Sequence, residues 1–308
     1  MTATIGYGTW PLGGRAYGSV LDTEVRNALQ TAYDAGIRLF DVANIYGDGR
    51  VERLIGEVFG GSETIQVLTK GGYLTEAGGE QDFSIDHLVR GARQSLARLQ
   101  RPVLDGFLLH SPPDELINST QIADVLEQLA VSGVAREVGV SVRSVEHGLR
   151  ALELPHVAWI EVILNLLDQR AIDVGLLARA TQSGIKVIAR VPLCFGFLTG
   201  KFREHVVFGG TDQRARWSAA QIELWRDGAE GFRHLELPER SMAQAAIAFC
   251  LQSEGVHCVI PGMKSVRQVA HNVGASSGSR RLSNQEWNAA RSTWTRFMHV
   301  PPGSMSRQ

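Results

Sequence analysis

Strand-like and helix-like segments alternate along almost the whole chain of 308 residues. Short apolar runs are followed by stretches with helical spacing, and residues 85–99 are the longest of these stretches. Eight strand segments occur, with a helix after nearly every one. Because parallel strands need crossover connections, repeated βα units predict a parallel sheet. Eight units predict closure into a (β/α)8 TIM barrel, and an open doubly wound sheet is the structural alternative.

The pattern also predicts where the elements lie. The predicted strands are residues 3–10, 37–42, 64–69, 104–109, 137–140, 157–164, 186–191 and 256–260. The predicted helices are residues 23–35, 51–59, 85–99, 120–132, 144–152, 172–183, 242–252 and 266–273, with an extra C-terminal helix at 284–297. No linker or low-complexity tract interrupts the chain, so we expect one domain over residues 1–308. The longest irregular stretch, residues 196–240, is expected to be a lid or binding loop.

The bulk composition favours a globular protein that acts on small molecules. The net charge is −1, and charged residues make up 20% of the chain. This balance favours neither a nucleic acid nor an anionic membrane as a partner, and it leaves the oligomeric state open. The three cysteines form no C-x-x-C, the histidines form no H-x-H or H-E-x-x-H pair, and the N-terminus does not read as a signal peptide. We therefore expect a cytoplasmic protein without a metal site.

Four short motifs place reactive side chains at or just past the ends of predicted strands. They are F-D-V-A-N-I-Y-G, L-T-K, L-L-H-S and G-V-S, and they supply Asp41 with Tyr46, Lys70, His110 and Ser141. The C-terminal ends of the strands in a parallel barrel converge on one face, where active sites are built. Neighbouring strands are about 4.8 Å apart, so these side chains are expected to meet in one pocket.

The residue types in this predicted pocket point to proton transfer. A tyrosine has a pKa of about 10, and a nearby ammonium favours its phenolate and lowers that pKa. We expect Lys70 to act in this way on Tyr46, Asp41 to hold Lys70, and His110 to hydrogen-bond a substrate oxygen. Such a unit protonates a carbonyl oxygen or deprotonates an alcohol. It lacks a hydride donor, which proteins borrow from a cofactor.

The chain resembles the aldo-keto reductase family along nearly its whole length. The matching motifs, in order, are G-x-G-T-W-x-L-G-G (6–14), F-D-x-A-x-x-Y-G (40–47), T-K (69–70), L-L-H (108–110), G-V-S (139–141), N-L-L (165–167), V-P-L-x-x-G-x-L-T-G-K (191–201) and I-P-G (260–262). Each motif is short, but the ordered set is specific. The resemblance implies reduction of a small aldehyde or ketone with NADPH, and a catalytic tetrad of Asp41, Tyr46, Lys70 and His110.

The resemblance also implies a nicotinamide site with two departures from the family pattern. The serine of G-V-S holds the nicotinamide carboxamide, and Ser141 takes that role. The family usually has a glutamine at the position of Glu161, which, when ionised, accepts hydrogen bonds but cannot donate them. The family usually has an aromatic residue at the position of Arg190, whose planar guanidinium can also stack on a ring.

The remaining cofactor contacts follow from the same resemblance. Residues 193–200 with Lys201 are expected to wrap the pyrophosphate, and Arg214 to help close that loop. Lys264 and Ser265 are expected at the 2′-phosphate, at a helix N-terminus that suits an anion, and this lysine favours NADPH over NADH. The full set of expected cofactor contacts is Thr9, Trp10, Asp41, Ser141, Glu161, Asn165, Arg190, Val191, Pro192, Leu193, Cys194, Gly196, Leu198, Lys201, Arg214, Gly262, Lys264, Ser265, Gln268 and Asn272.

The leading hypothesis is therefore an NADPH-dependent carbonyl reductase. Trp10, Tyr73 and Trp217 are expected to line its substrate pocket, and the tail after residue 297 could fold over it. Two alternatives remain open. One is a regulatory or sensor subunit that binds NADPH within a larger assembly. The other is a biosynthetic reductase that acts on a sugar-nucleotide intermediate or an activated double bond.

Overall fold

The computed structural model describes residues 3–74, 79–204, 206–210 and 212–297. Within these ranges, nine strand segments form one sheet in which all neighbours are parallel. They are β1 (Thr4–Ile5), β2 (Tyr7–Gly8), β3 (Leu39–Asp41), β4 (Gln66–Gly71), β5 (Leu104–His110), β6 (Ala135–Ser141), β7 (Val157–Ile163), β8 (Lys186–Arg190) and β9 (Val256–Ile260). The TIM barrel predicted from the alternation is confirmed.

The first predicted strand is two segments, and this split closes the ring. β1 pairs with β9, whereas β2 pairs with β3. Gly6 lies between them and donates its N–H to the Val259 carbonyl at 2.8 Å. A Cβ at Gly6 would lie 2.8 Å from the Sγ of Cys258 and 3.0 Å from the Leu39 carbonyl oxygen, so only glycine fits where the strand passes between its two neighbours.

Helices surround the barrel and connect its strands. They are α1 (Asp22–Asp34), α2 (Arg50–Phe59), α3 (Ile85–Leu99), α4 (Asp114–Ile117), α5 (Gln121–Val131), α6 (Val145–Ala151), α7 (Arg170–Asp173), α8 (Leu176–Gln182), α9 (Ala219–Glu230), α10 (Met242–Gln252), α11 (Val266–Val273) and α12 (Asn284–Phe297). None of these helices is long and apolar enough to cross a membrane.

Two predictions of local structure were wrong. The single helix expected at residues 172–183 is two helices, α7 and α8, because Gly175 between them has a φ of +72°, which a helix interior does not allow. The stretch 196–240, expected to be irregular, contains α9 and short 3₁₀ turns. Aromatic side chains pack this stretch together, and the ring centroids of Trp217 and Trp225 are 4.7 Å apart.

The barrel interior is layered, because side chains two residues apart on a strand point to the same face. A buried apolar floor comprises Leu39, Leu68, Leu108, Trp159, Ile188, Cys258 and Ile260. Two residues beyond five of these positions, on β3, β4, β5, β7 and β8, lie Asp41, Lys70, His110, Glu161 and Arg190. The pleat of the strands thus lifts a charged layer directly above the apolar floor, at the C-terminal end of the barrel.

Candidate active site

Lys70 lies at the centre of the charged layer and is completely buried. Its ammonium donates to the carboxylate of Asp41 and to the Val42 carbonyl at 3.2 Å. Its Nζ also lies 3.2 Å from Oε2 of Glu161, which belongs to the opposite side of the ring. One buried ammonium is therefore shared by two carboxylates that are themselves buried.

Tyr46 and His110 complete the tetrad at the mouth of the barrel. Tyr46 follows β3 in a turn, in which its backbone N–H donates a hydrogen bond to the Ala43 carbonyl at 3.0 Å. The Nζ of Lys70 lies 5.5 Å from the centroid of the Tyr46 ring, and the ring of His110 stands edge-on to that ring at 6.1 Å. All four residues that the sequence assigned to the tetrad are thus brought together.

Burial dominates the electrostatics of these groups. It raises the pKa of Asp41 to about 8, together with the negative charge of Glu161 and against the opposing effect of Lys70. Burial lowers the pKa of Lys70, but the two carboxylates outweigh this effect, so the net shift is upward and the amine stays protonated. Burial also raises the pKa of Tyr46 above its ordinary value, although Lys70 acts to lower it as expected. The net lowering expected from Lys70 alone is not found, because desolvation outweighs the ammonium.

His110 is held as a neutral imidazole. Burial lowers its pKa well below the ordinary value, and the positive charges of Lys70, Arg190 and Arg143 act in the same direction. Its Nδ1 is buried and has no hydrogen-bond partner among the described residues. A neutral imidazole with an open nitrogen can hydrogen-bond an oxygen of a bound molecule.

A clamp of two side chains holds the segment after His110, and no sequence motif predicted it. Gln81 donates through Nε2 to the carbonyls of His110 at 3.1 Å and Ser111 at 3.0 Å. Arg143 donates to the Ser111 carbonyl at 2.9 Å and to Oε1 of Gln81 at 2.7 Å. Ser111 has a φ of +54°, a conformation unfavourable for a side-chain-bearing residue, which these bonds help to maintain.

Glu161 and Arg190, the two departures from the family pattern, lie side by side. Nε of Arg190 is 3.9 Å from Oε1 of Glu161, and Nη2 of Arg190 donates to the Val142 carbonyl at 3.1 Å. Oε2 of Glu161, whose contact with Lys70 at 3.2 Å is an ion pair, and Nε of Arg190 are buried and make no hydrogen bond within the described part of the chain. Ser141, paired in register with Glu161, lies beside them on β6. These open polar atoms can meet polar groups of a bound molecule.

The loop after β8, at residues 191–201, curves back on itself, and we call it the cradle. Val191, Cys194 and Phe195 have positive φ angles of 56°, 42° and 53°, and Gly196 has a φ of 98°. Asn165 anchors the start of the loop by donating to the Val191 carbonyl at 3.1 Å. Of the predicted contacts in this loop, Pro192, Cys194 and Leu198 are buried, Leu193 and Gly196 are partly buried, and Lys201 is exposed.

A cationic group lies at the far end of this cradle. Arg214 donates to the Phe195 carbonyl at 3.0 Å, and Lys264 donates to the Tyr17 carbonyl at 2.7 Å. The pKa of Lys264 is lowered by burial and by the positive charges of Arg214 and Lys201. Positive charges that lower the pKa of a lysine favour an anion beside it, and Asp212, which pairs with Arg214 at 2.6 Å, offsets part of this charge.

The start of α11 adjoins this cationic group. Ser265 caps the helix by accepting the N–H of Gln268 at 3.3 Å, and Oε1 of Gln268 accepts the N–H of Lys264 at 2.6 Å. Asn272 is buried one turn further on. Gly262 pairs with Gly8 across the barrel end, which links this segment to the first strand.

The first strand and the aromatic residues enclose the mouth of the barrel. Thr9 is buried and donates its hydroxyl to the Asp41 carbonyl at 2.7 Å. Trp10 packs edge-on against Tyr17 and against Phe195. Trp217 contacts Phe195 at 4.9 Å between ring centroids, whereas the ring of Tyr73 stands 4.9 Å from that of His110. Among the three residues expected to line the substrate pocket, Tyr73 thus lies next to the tetrad. The tail after residue 297, for which folding over the pocket was one possibility, lies outside the described residues.

No group of three or more histidine, cysteine or acidic side chains that could hold a metal ion occurs in residues 3–74, 79–204, 206–210 and 212–297.

Comparisons with known proteins show the family of this chain. The model of the "Aldo/keto reductase family" matches residues 4–295. The aldo-keto reductase YhdN of Bacillus subtilis (strain 168) is 31% identical over 220 residues, which is 68% of this chain and 64% of that protein. The matched part is therefore less than two thirds of that relative's length.

Solved structures show the same fold. The aldo-keto reductase AKR11C1 from Bacillus halodurans, in its holo form, matches with a TM-score of 0.77 and 23% identity, over 95% of this chain and 92% of that one. The glycerol dehydrogenase AKR11B4 from Gluconobacter oxydans matches with a TM-score of 0.79 and 25% identity, over 97% of this chain and 94% of that one.

Proposed function

Because this chain belongs to the aldo-keto reductase family, we propose that it is an oxidoreductase that reduces a small aldehyde or ketone to the alcohol with NADPH. The observation that carries the proposal is the convergence of Tyr46, Lys70, Asp41 and His110 at the C-terminal end of the barrel. These groups can move one proton onto a carbonyl oxygen, which is half of the reduction.

In the proposed mechanism, Ser141, Glu161 and Arg190 would hold a nicotinamide, which would supply the hydride for the carbonyl carbon. The neutral His110 positions the substrate by donating a hydrogen bond to its carbonyl oxygen. Tyr46 gives its phenolic proton to that oxygen, so the O–H bond of the tyrosine breaks as the O–H bond of the alcohol forms. The ammonium of Lys70 stabilises the phenolate that is left, and Asp41 holds the ammonium in place.

The polar atoms left open in the barrel mouth fit a nicotinamide. Oε2 of Glu161 can accept a hydrogen bond from a carboxamide N–H, and Ser141 is close enough in the sheet to bind the same group. Nε of Arg190 is open, and its guanidinium plane can cover a ring. We therefore assign Ser141, Glu161 and Arg190 to the nicotinamide end of the cofactor.

The opposite end of the cradle fits a phosphate. Lys264 and Lys201 bring two positive charges beside Arg214, which pairs with Asp212 at 2.6 Å. Ser265 begins a helix whose N-terminal N–H groups favour an anion. NADPH carries a 2′-phosphate that NADH lacks. The cationic group therefore supports the choice of NADPH. We propose that the predicted contacts along the loop at residues 191–201 bind the part of the cofactor between its two ends.

A panel of aldehydes and ketones, each supplied with NADPH or NADH, tests this function. Polyols should be included with the oxidised cofactors, since one structural relative is named a glycerol dehydrogenase. We expect reduction of at least one carbonyl compound and a lower KM for NADPH than for NADH. The absence of turnover with every pair of substrate and cofactor would overturn the proposal.

The matched variants Lys264→Met and Lys186→Met test the choice of cofactor. Lys186 is also a partly buried lysine of the barrel, but it pairs with Glu137 beneath the site. Loss of one charged contact to a phosphate, about 1.4 kcal/mol, corresponds to a rise of about tenfold in the KM for NADPH. We expect this rise in Lys264→Met with little change for NADH, and no such difference in Lys186→Met. Equal changes for the two cofactors in Lys264→Met would contradict the assignment.

A further inference from the structure

Glu161 also contacts the lysine of the tetrad. It lies on β7, is 3% exposed, and its Oε2 is 3.2 Å from Nζ of Lys70. The same ammonium donates to Asp41 on β3 and to the Val42 carbonyl. The family usually has a glutamine here, which would bring no charge. This chain instead places a second carboxylate on the lysine of the tetrad.

The surrounding groups leave this second negative charge incompletely compensated. Arg190 on β8 faces Glu161 at 3.9 Å, but its Nε makes no hydrogen bond among the described residues, and its side chain is 21% exposed to water. His110 on β5 is neutral, and Tyr46 carries its phenolic proton. Burial holds the pKa of Cys258, on β9 in the floor, at about 12, so it remains a thiol.

A buried carboxylate is costly unless it is paired and hydrogen-bonded. Here two buried carboxylates depend on one hydrogen-bonded ammonium, and the nearest second cation is partly exposed. When like charges share such a site, one of the two groups keeps its proton. The pKa of Asp41, raised to about 8 by burial and by Glu161, agrees with this arrangement.

We propose that Asp41 and Glu161 share one proton at neutral pH, and that Glu161 is thereby a positioning residue that sets the charge around Lys70 and Tyr46. The shared proton leaves the pair with one negative charge, which balances the ammonium of Lys70. At alkaline pH the pair releases this proton to water and gains a second negative charge. That charge disfavours the phenolate of Tyr46, so proton donation by Tyr46 becomes slower.

The proton on the pair can be observed without any cofactor or substrate. Infrared spectra of the whole protein, recorded from about pH 6 to about pH 10, separate the carbonyl band of a protonated buried carboxyl group from the bands of carboxylates. We expect one such band in the wild-type protein, lost with a midpoint near the pKa of about 8. The absence of this band at about pH 6 would overturn the proposal.

Three variants assign the band. In Glu161→Gln and in Asp41→Asn a single carboxylate remains on Lys70, so each variant should lack the titrating band. In the control Glu137→Gln the band should persist, because Glu137 lies beneath the site and pairs with Lys186 at 2.6 Å. A band that titrates unchanged in both Glu161→Gln and Asp41→Asn would refute the shared proton.

The effect on turnover rests on the proposed function and has its own readout. We expect carbonyl reduction by the wild-type enzyme to fall as pH rises through about 8, and the fall to be absent in Glu161→Gln. A structural role of Glu161 would change turnover equally at all pH values. If no carbonyl is reduced, the proposed function fails while the infrared result still decides the shared proton.

Discussion

Replacement of Lys70 by methionine tests how strongly the two buried carboxylates depend on their ammonium. Methionine has a similar length but no charge and no N–H. Lys70→Met therefore leaves Asp41 and Glu161, which are 2% and 3% exposed, without the ammonium that donates a hydrogen bond to Asp41 and forms an ion pair with Glu161. It also removes the donor to the Val42 carbonyl. Removal of one partner of a buried ion pair costs about 3–5 kcal/mol when the remaining charge stays buried.

The cost of Lys70→Met should depend on pH. The folded-state pKa of Asp41 lies above its ordinary value, so the folded protein keeps a proton that the unfolded chain loses, and this contribution to stability is lost as pH rises through about 8. Without Lys70 the opposing effect of the ammonium on the pKa of Asp41 disappears, so Asp41 holds its proton to higher pH. We expect a loss of about 3–5 kcal/mol at about pH 9, where buried carboxylates lose their ammonium. At about pH 5 we expect a smaller loss of about 1–2 kcal/mol, because a carboxyl group can take up a proton in place of the lost ion pair.

Urea unfolding of the wild type and the variant at these two pH values measures the difference in the free energy of unfolding. Lys186→Met is the control, since Lys186 pairs with Glu137 but both side chains are about one-third exposed. Its loss should be about 1 kcal/mol or less at both pH values. Losses in Lys70→Met that are equal at acid and alkaline pH would refute the argument from buried charge.

Two further predictions concern the scaffold around the site. Gly91 in α3 has open space where a Cβ would lie, whereas a Cβ at Gly56 in α2 would come within 2.3 Å of a backbone oxygen of α3. Gly91→Ala should therefore raise the free energy of unfolding by about 0.5–1 kcal/mol, and Gly56→Ala should lower it. Urea unfolding measures both changes, and a change of the same sign in the two variants would contradict the packing. Arg143→Met should remove the clamp on Gln81 and the segment after His110, and lower kcat about tenfold with cofactor affinity unchanged. Unchanged kcat in steady-state assays of that variant would show that the clamp does not position His110.

The alternation of apolar runs and helical spacing was enough to predict the barrel, because each strand end and helix start has a local signal. The convergence of Asp41, Lys70 and His110 was predictable for the same reason, because each lies at the end of a strand or one residue before it. The break between α7 and α8 depends on the φ of Gly175, and a glycine in a helical pattern does not by itself specify that angle. The helix α9 in the stretch 196–240 is held in place by aromatic packing between residues distant in sequence.

The contact between Glu161 and Lys70 could not be predicted, because it joins β7 to β4 across the barrel. The sequence shows that both residues are near strand ends, but not that their side chains lie in one layer above the floor. The clamp of Gln81 and Arg143 joins two loops, whose conformations no periodic pattern specifies. The net pKa of Tyr46 depends on burial, which the identity of its charged neighbour does not reveal.

The central claim is that Tyr46 donates the proton in carbonyl reduction, and Tyr46→Phe tests it most directly. This change removes one oxygen from a buried ring and leaves the cradle and Lys70 in place. Tyr33→Phe is the matched control, because Tyr33 lies on α1 and bonds Thr64 outside the site. We expect Tyr46→Phe to bind NADPH like the wild type and to lose turnover by about 10²–10⁴-fold, and Tyr33→Phe to keep both. Near-wild-type turnover in Tyr46→Phe would contradict the account.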